Sequence, residues 1–214
     1  YVEGPTLSAL YVAAAGRARL LGVVRQYPGA PGEPFLYRGG VGPWTVPDVT
    51  AARLGRLGSA LASEFPLVGL FGVDFILKDD EPWTIELNPR YTASVEIIEL
   101  ATRHALVRDH VLACEAGRLG EAPEPSAPRI VGKRILYASR RLVTPAIAAP
   151  AWSSDDPFAI PPIADVPWPG TTIDALEPIM TVFATAATAE ACSIHLDRIE
   201  AEWMERLELT DDGR

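Results

Sequence analysis

The sequence predicts an α+β fold: an antiparallel sheet with packed helices over residues 1–118, a linker at 119–128, and a small β-rich domain closed by a C-terminal helix over 129–214. Three observations predict it. Residues 70–77 (LFGVDFIL) and 82–88 (PWTIELN) are β-branched and aromatic runs around the polar turn Lys78-Asp79-Asp80-Glu81, the pattern of a hairpin. Leu54, Leu57, Leu61 and Phe65 recur at helical spacing just before it. The stretch LGEAPEPSAP at 119–128 has a linker's composition, and strand-like segments with Pro-rich loops follow it.

Taken in order, residues 1–26 read as two strands around the turn Ala15-Gly16-Arg17, with a strand beginning at Ser8. Residues 26–42 form a long polar connection through Pro28, Pro31 and Pro34, with Phe35–Arg38 as a strand. The GGVG at 39–42 lacks the strand-then-helix setting and the Lys of a phosphate loop, so it reads as a turn. Thr45-Val46-Pro47-Asp48 opens a helix to about Phe65, with Pro47 in its first turn and Asp48 favourable to the dipole. A second helix runs from about Val95 to Ala116, with Ser94 as N-cap and Gly117 closing it. His104 and His110 are six apart, the wrong spacing for two ligands on one face, and read as packing or surface residues. Beyond the linker come strands in GKRILYASRRLVTP and EPIMTVFAT. The final helix, about Ala189 to Leu209, buries Cys192, Leu196, Ile199 and Trp203.

Composition excludes several function classes. A net charge of −9 argues against nucleic acid or an anionic membrane surface as a partner. No apolar run approaches a membrane span and no signal-like start is present, so the expected compartment is the cytoplasm. Cys114 and Cys192 lie in no CxxC or Cys/His cluster and read as two buried reduced thiols on helices. Arg outnumbers Lys seventeen to two, which carries no mechanism.

The chemistry concentrates on the hairpin. Centred on Asp80, its pairs sum to 160, so that Val73 faces Leu87, Phe75 faces Ile85 and Leu77 faces Trp83 on one apolar side. On the other side Asp74 lies opposite Glu86, with Asn88 and Arg90 following at alternate positions. Two carboxylates held roughly 5 Å apart repel. A one-residue slip would separate them but would turn the apolar set outward. A divalent cation is the simplest reason to keep them together. Mg²⁺ takes carboxylate and amide oxygens, and Arg90 adds a cation suited to a phosphoryl or carboxylate group. Acids on the solvent side of a surface hairpin are equally ordinary, and spacing alone does not choose.

The string Ile85-Glu86-Leu87-Asn88-Pro89-Arg90, with an acid twelve positions before Glu86, resembles the ATP-grasp superfamily. In its second lobe an acid stands on one strand and Glu-x-Asn-Pro-Arg on the next. The resemblance implies that Asp74, Glu86 and Asn88 hold two Mg²⁺ ions, with Mn²⁺ an alternative, that bridge the phosphates of ATP. It makes Arg90 the catalytic contact to the transferred phosphoryl group or the acyl substrate. Tyr1-Val2-Glu3-Gly4 resembles the hinge whose backbone and nearby acid hold adenine and ribose. Tyr1, Val2, Glu3 and Ile76 are therefore the expected nucleotide contacts; where position 6 is Thr, Glu3 stands in for a ribose acid or is an exposed turn residue. Arg38 resembles a basic residue that related ligases place against the phosphates, and an exposed Arg is an equal reading. Thr92 and Ser94, at a helix N-terminus, are candidates for an anionic group of the second substrate, although capping explains Ser94 equally well.

These likenesses imply an ATP- and Mg²⁺-dependent ligase that activates a carboxylate as an acyl phosphate for attack by an amine. Its partners are small-molecule carboxylate and amine substrates, with neither nucleic acid nor membrane; a homo-oligomer is left open. The chain most resembles a carboligase-like group, some of whose relatives join amino acids to amines in building methanofuran and tetrahydromethanopterin. The C-terminal region is similar to the β-domain appended to carboxylase-like members. Alternatives are bicarbonate activation, phosphotransfer, or a non-catalytic nucleotide-binding or assembly subunit. The chain opens in mid-pattern at Tyr1 and lacks the first lobe's phosphate-gripping lysines and glycine-rich loop. It is accordingly expected to be missing the N-terminal half of the ATP-grasp domain and to be inactive alone.

Overall fold

The first two strands, Thr6–Ala14 (β1) and Arg17–Gln26 (β2), turn through Ala15 and Gly16 at φ of 51° and 71°, so that Ala14 pairs with Arg17. Two successive residues at positive φ match the twist of the flanking strands, which is why this tight turn closes the hairpin. The computed structural model describes residues 1–29, 32–121, 129–148 and 155–211, with side chains to 207. After β2 come Gly39–Gly42 (β3), Asp48–Glu64 (α1), Gly69–Lys78 (β4), Glu81–Asn88 (β5), Ala93–Thr102 (α2) and Leu106–Ala116 (α3). Ile130–Tyr137 (β6), the short strands Leu142–Val143 (β7), Ile163–Ala164 (β8) and Thr172–Ile173 (β9), then Pro178–Ala186 (β10) and Ala189–Asp211 (α4) complete the order.

Among the described residues eight strands form one antiparallel sheet in the order β5-β4-β1-β2-β3-β6-β10-β8, and β7 pairs with β9 apart from it. Mixed α and β elements on a large antiparallel sheet are the fold class expected. Alternation along the strands sends side chains to two faces. One face buries Leu7, Tyr11, Val73 and Phe75 under Leu54 and Ala62 of α1, and further along the sheet Leu136, Met180 and Val182 under Cys192 and Leu196 of α4. The other buries Leu10, Val12, Val24 and Leu70 under Ile97, Ile98 and Leu106 of α2 and α3. β6, β10 and β8, from the region expected to stand apart, extend the same sheet. Residues 122–128 of the expected linker lie outside the described residues.

Several elements differ from expectation. GGVG is not a turn but β3, buried between β2 and β6, and Phe35–Arg38 is not a strand. A Cβ on Gly40 would stand 2.7 Å from Arg25 O, and one on Gly39 only 2.2 Å from Lys133 O. The strand is glycine because its neighbours leave no room for more. α1 begins at Asp48 with Pro47 as N-cap, and Phe65 is its exposed C-cap rather than core. The helix expected over Val95–Ala116 breaks at Arg103, which takes φ of 56°, and His104 Nε2 lies 2.8 Å from Asp109 Oδ2 of the next helix. The N-cap of α2 is Thr92, with Ser94 already inside the helix. Cys192 is buried as expected, but Cys114 of α3 is exposed.

The central hairpin keeps the expected pairs Val73–Leu87 and Asp74–Glu86 but then slips. Phe75 pairs with Thr84 and Leu77 with Pro82, not with Ile85 and Trp83. Asp79 and Asp80 both take positive φ, 51° and 60°, and this two-residue turn fixes Lys78 opposite Glu81. A bulge at Ile85 absorbs the difference, leaving Ile85 and Trp83 exposed.

Candidate active site

The register across three strands builds the site. Ser8 on β1 pairs with Asp74 on β4, and Asp74 with Glu86 on β5, so all three point to the face that carries α2. Asn88, opposite Gly72, joins them two residues on. Ser8 also pairs with Val24, which puts Gln26 on the same face at the end of β2. Together with Tyr37, Arg90, Thr92, Ala93 and Ser94 these side chains line a cavity of about 280 Å³.

Asp74 is its electrostatic centre. Gln26 Nε2 donates to its Oδ1 at 3.1 Å and Asn88 Nδ2 to its Oδ2 at 3.4 Å. Burial pushes its carboxyl above the usual range, and the Glu86 charge opposite pushes the same way, against hydrogen bonds from Ser8 and Gln26 and the charge of Arg90. Arg90 Nη2 donates to Asn88 Oδ1 at 3.3 Å, and Nη1 to Tyr91 O at 3.2 Å. Glu86 itself is exposed. Two carboxylates and an amide oxygen converging on one pocket are the hard donors a Mg²⁺ ion takes, and the raised affinity of Asp74 for protons is the charge cost a cation would offset. The residues fit the ion.

Of the expected site residues, the structure brings Asp74, Glu86, Asn88 and Arg90 into this pocket, with Thr92 and Ser94 beside them. Tyr1, Val2 and Glu3 lead into Gly4, which lies against Ile76 and Leu77; a Cβ there would be 2.5 Å from Leu77 O. Ile76 shares the face of Asp74. Tyr1 and Glu3 are exposed and Val2 and Ile76 half-buried. Arg38 does not join them: its Nη2 donates to Glu200 Oε1 of α4 at 2.7 Å, and Glu200 Oε2 accepts from Arg134 at 2.6 Å. Tyr37, one residue earlier, faces the pocket instead. Ser8, Gln26 and Tyr37 went unread in the sequence. Joining the registers of the two hairpins would have found the first two, whereas nothing local marks Tyr37. A larger cleft of about 380 Å³ lies among Arg25, Tyr27, Trp44, Arg134 and Ser193 on the face of α4, away from the acids.

The large antiparallel sheet presents an acid and a Glu-x-Asn-Pro-Arg string on neighbouring strands, and residues 1–94 match the ATP-grasp domain family. Over those residues the chain is similar to the ATP-grasp superfamily. It is 32% identical over 120 residues to the uncharacterized protein MJ0776 of Methanocaldococcus jannaschii, covering 56% of this chain and 27% of that one. Its fold is similar to that of the L-amino acid ligase of Bacillus licheniformis, at a TM-score of 0.70 and 15% identity, over 94% of this chain and 51% of the ligase. It is also similar to the biotin carboxylase domain of Hydrogenobacter thermophilus 2-oxoglutarate carboxylase, a dimer in complex with MgADP and bicarbonate. That TM-score is 0.66 at 15% identity, over 87% of this chain and 43% of that one. The chain thus spans about a quarter of the length of MJ0776 and about half that of these structures. Among the described residues no helix is long and apolar enough to cross a membrane.

Proposed function

We propose that the protein is an ATP- and Mg²⁺-dependent ligase that joins a small carboxylate to an amine, and that Asp74, Glu86 and Asn88 hold the metal. The observation that carries this reading is the Asp74–Glu86 pair, kept opposite by the register even though the turn end of the hairpin, from Phe75 on, pairs differently. ATP-dependent ligation is the chemistry of the superfamily; the C–N bond and a place in cofactor assembly are its finer form here. Two ions, with Mn²⁺ as a substitute, are part of the same proposal, as are Tyr1, Val2, Glu3 and Ile76 as the nucleotide's neighbours.

The reaction has two steps. A carboxylate oxygen attacks the terminal phosphorus of ATP and ADP leaves; the amine nitrogen then attacks the acyl carbon, inorganic phosphate leaves, and the nitrogen's proton passes to water. When bound, Mg²⁺ neutralises the charge that collects on the phosphate oxygens. The chain's residues supply the positions. Asp74 and Glu86 fix the metal side of the pocket, and Gln26 and Asn88 orient the Asp74 carboxylate. Arg90, which lines the pocket beside Asn88, would place a guanidinium where the oxyanion develops. No side-chain nucleophile is required.

ADP release from Mg-ATP, screened against pools of carboxylic acids and amines with the product identified, tests the proposal. Turnover that requires one acid and one amine and vanishes in Glu86→Gln supports it. Turnover with bicarbonate alone, or phosphate transfer to a non-carboxylate, contradicts the C–N ligase reading.

A further inference from the structure

Two hydroxyls in the acid-lined pocket have no hydrogen-bond partner among the described residues. Tyr37 Oη and Thr92 Oγ1 are both buried, and both residues line the cavity with Asp74, Glu86 and Arg90. A buried hydroxyl without a partner is costly, and native proteins seldom leave one unless something else arrives to pair with it.

Neither hydroxyl is spent on a structural task. Thr92 is the N-cap of α2, yet its side chain makes no capping hydrogen bond. Its methyl rests on the bare strand at Gly72, where a Cβ would come within 2.9 Å of Cγ2 and 3.3 Å of Oγ1. Tyr37 has its main chain pinned: Tyr137 Oη donates to its carbonyl at 2.8 Å, and Ile135 N–H donates to the carbonyl of Arg38 at 3.2 Å. With Arg38 drawn to Glu200 on the reverse face, the chain shows the pocket a phenol and not a cation. Of the other donors there, Gln26, Asn88 and Ser8 are engaged by Asp74, and Arg90 by Asn88. Lys133, at the edge, is held by Glu96 at 2.7 Å. Burial and the nearby Asp74 and Glu96 charges raise the Tyr37 pKa, so the phenol keeps its proton and acts as a donor.

We infer that Tyr37 and Thr92 are substrate-binding residues that donate their hydroxyl hydrogens to a small carboxylic acid, on the carboxylate oxygen that is not phosphorylated. This rests on the ligase reading above. A carboxylate entering a pocket that already holds Asp74 and Glu86 loses water and meets like charge, and two fixed neutral donors supply the hydrogen bonds it gives up.

The test uses hydroxylamine as a general amine, which traps an acyl phosphate as a hydroxamate, with Mg-ATP and each of the twenty L-amino acids, acetate and succinate. Tyr37→Phe and Thr92→Val preserve ring and shape. Each is expected to raise the acid concentration at half-maximal rate about tenfold, leaving KM for ATP and the binding of Mg-ADP within about twofold. Unchanged acid dependence in both variants, or an equal rise in KM for ATP, overturns the subsite and leaves the ligase reading standing. A full-length wild-type protein that binds Mg-ADP but forms no hydroxamate with any acid overturns both.

Discussion

Asp74 and Glu86 face each other across β4 and β5, while one residue further along the same strands Phe75 lies opposite Thr84 rather than Ile85. The two ends of the hairpin obey different constraints. The tight turn at Asp79-Asp80 pairs Lys78 with Glu81, and the pocket end pairs acid with acid. A bulge reconciles them, and the acids keep their apposition against mutual repulsion of the kind that costs a few tenths to about 1 kcal/mol per pair.

That repulsion sets a pH dependence. The Asp74 carboxyl is raised above its ordinary value, first by burial and then by Glu86. The folded state therefore binds the proton more tightly than the unfolded chain, and stability falls as pH rises through the folded pKa. Acidification toward the ordinary value of 3.8 restores it. The metal-free protein minus its Asp74→Asn variant, compared by thermal unfolding across pH 4–7, is expected to show this component, and Mg²⁺ with ADP to remove it. A flat difference would count against the burial of the charged acid.

Gly58 sits in α1 against the Tyr11 ring, where a Cβ would come 2.4 Å from Cε1. Tyr11 cannot yield: it is fully buried, stacks on Phe71 at 4.8 Å, and donates to Leu54 O at 3.0 Å. Gly58→Ala should cost roughly 1–3 kcal/mol by overpacking, outweighing the gain in helix propensity of about 1 kcal/mol. Chemical denaturation reads it, and a stabilised variant would show that the ring moves.

Arg38 is held by Glu200 and not by the pocket. Arg38→Met should leave Mg-ADP affinity within about twofold and reduce stability by no more than about 1 kcal/mol, since both partners are partly solvated. A tenfold loss of affinity in calorimetry would return Arg38 to the phosphates.

The strand content of the hairpins, the acid pair and the C-terminal helix were legible because each rests on local alternation or helical spacing. What was not legible depended on neighbours distant in sequence. β3 reads as a turn because Gly is poor in intrinsic strand preference, and the crowding that demands glycine there comes from Arg25 and Lys133. The break at Arg103 was hidden because Arg is a good helix former; the His104–Asp109 contact that accompanies the break links residues five apart. Ser8 and Gln26 enter the site only through the β1–β2 and β1–β4 registers. Arg38 and Tyr37 exchanged expected roles because the segment before β3 is not a strand, so no alternation assigned their faces.

The most direct measurement is calorimetric binding of ADP, with and without Mg²⁺, to the protein and to Glu86→Gln. If Asp74, Glu86 and Asn88 hold the nucleotide's metal, Mg²⁺ strengthens ADP binding in the native protein and this gain falls at least tenfold in the variant, with metal-free ADP binding unchanged. Equal Mg²⁺ dependence in both proteins would contradict the assignment of the acid pair as the metal site.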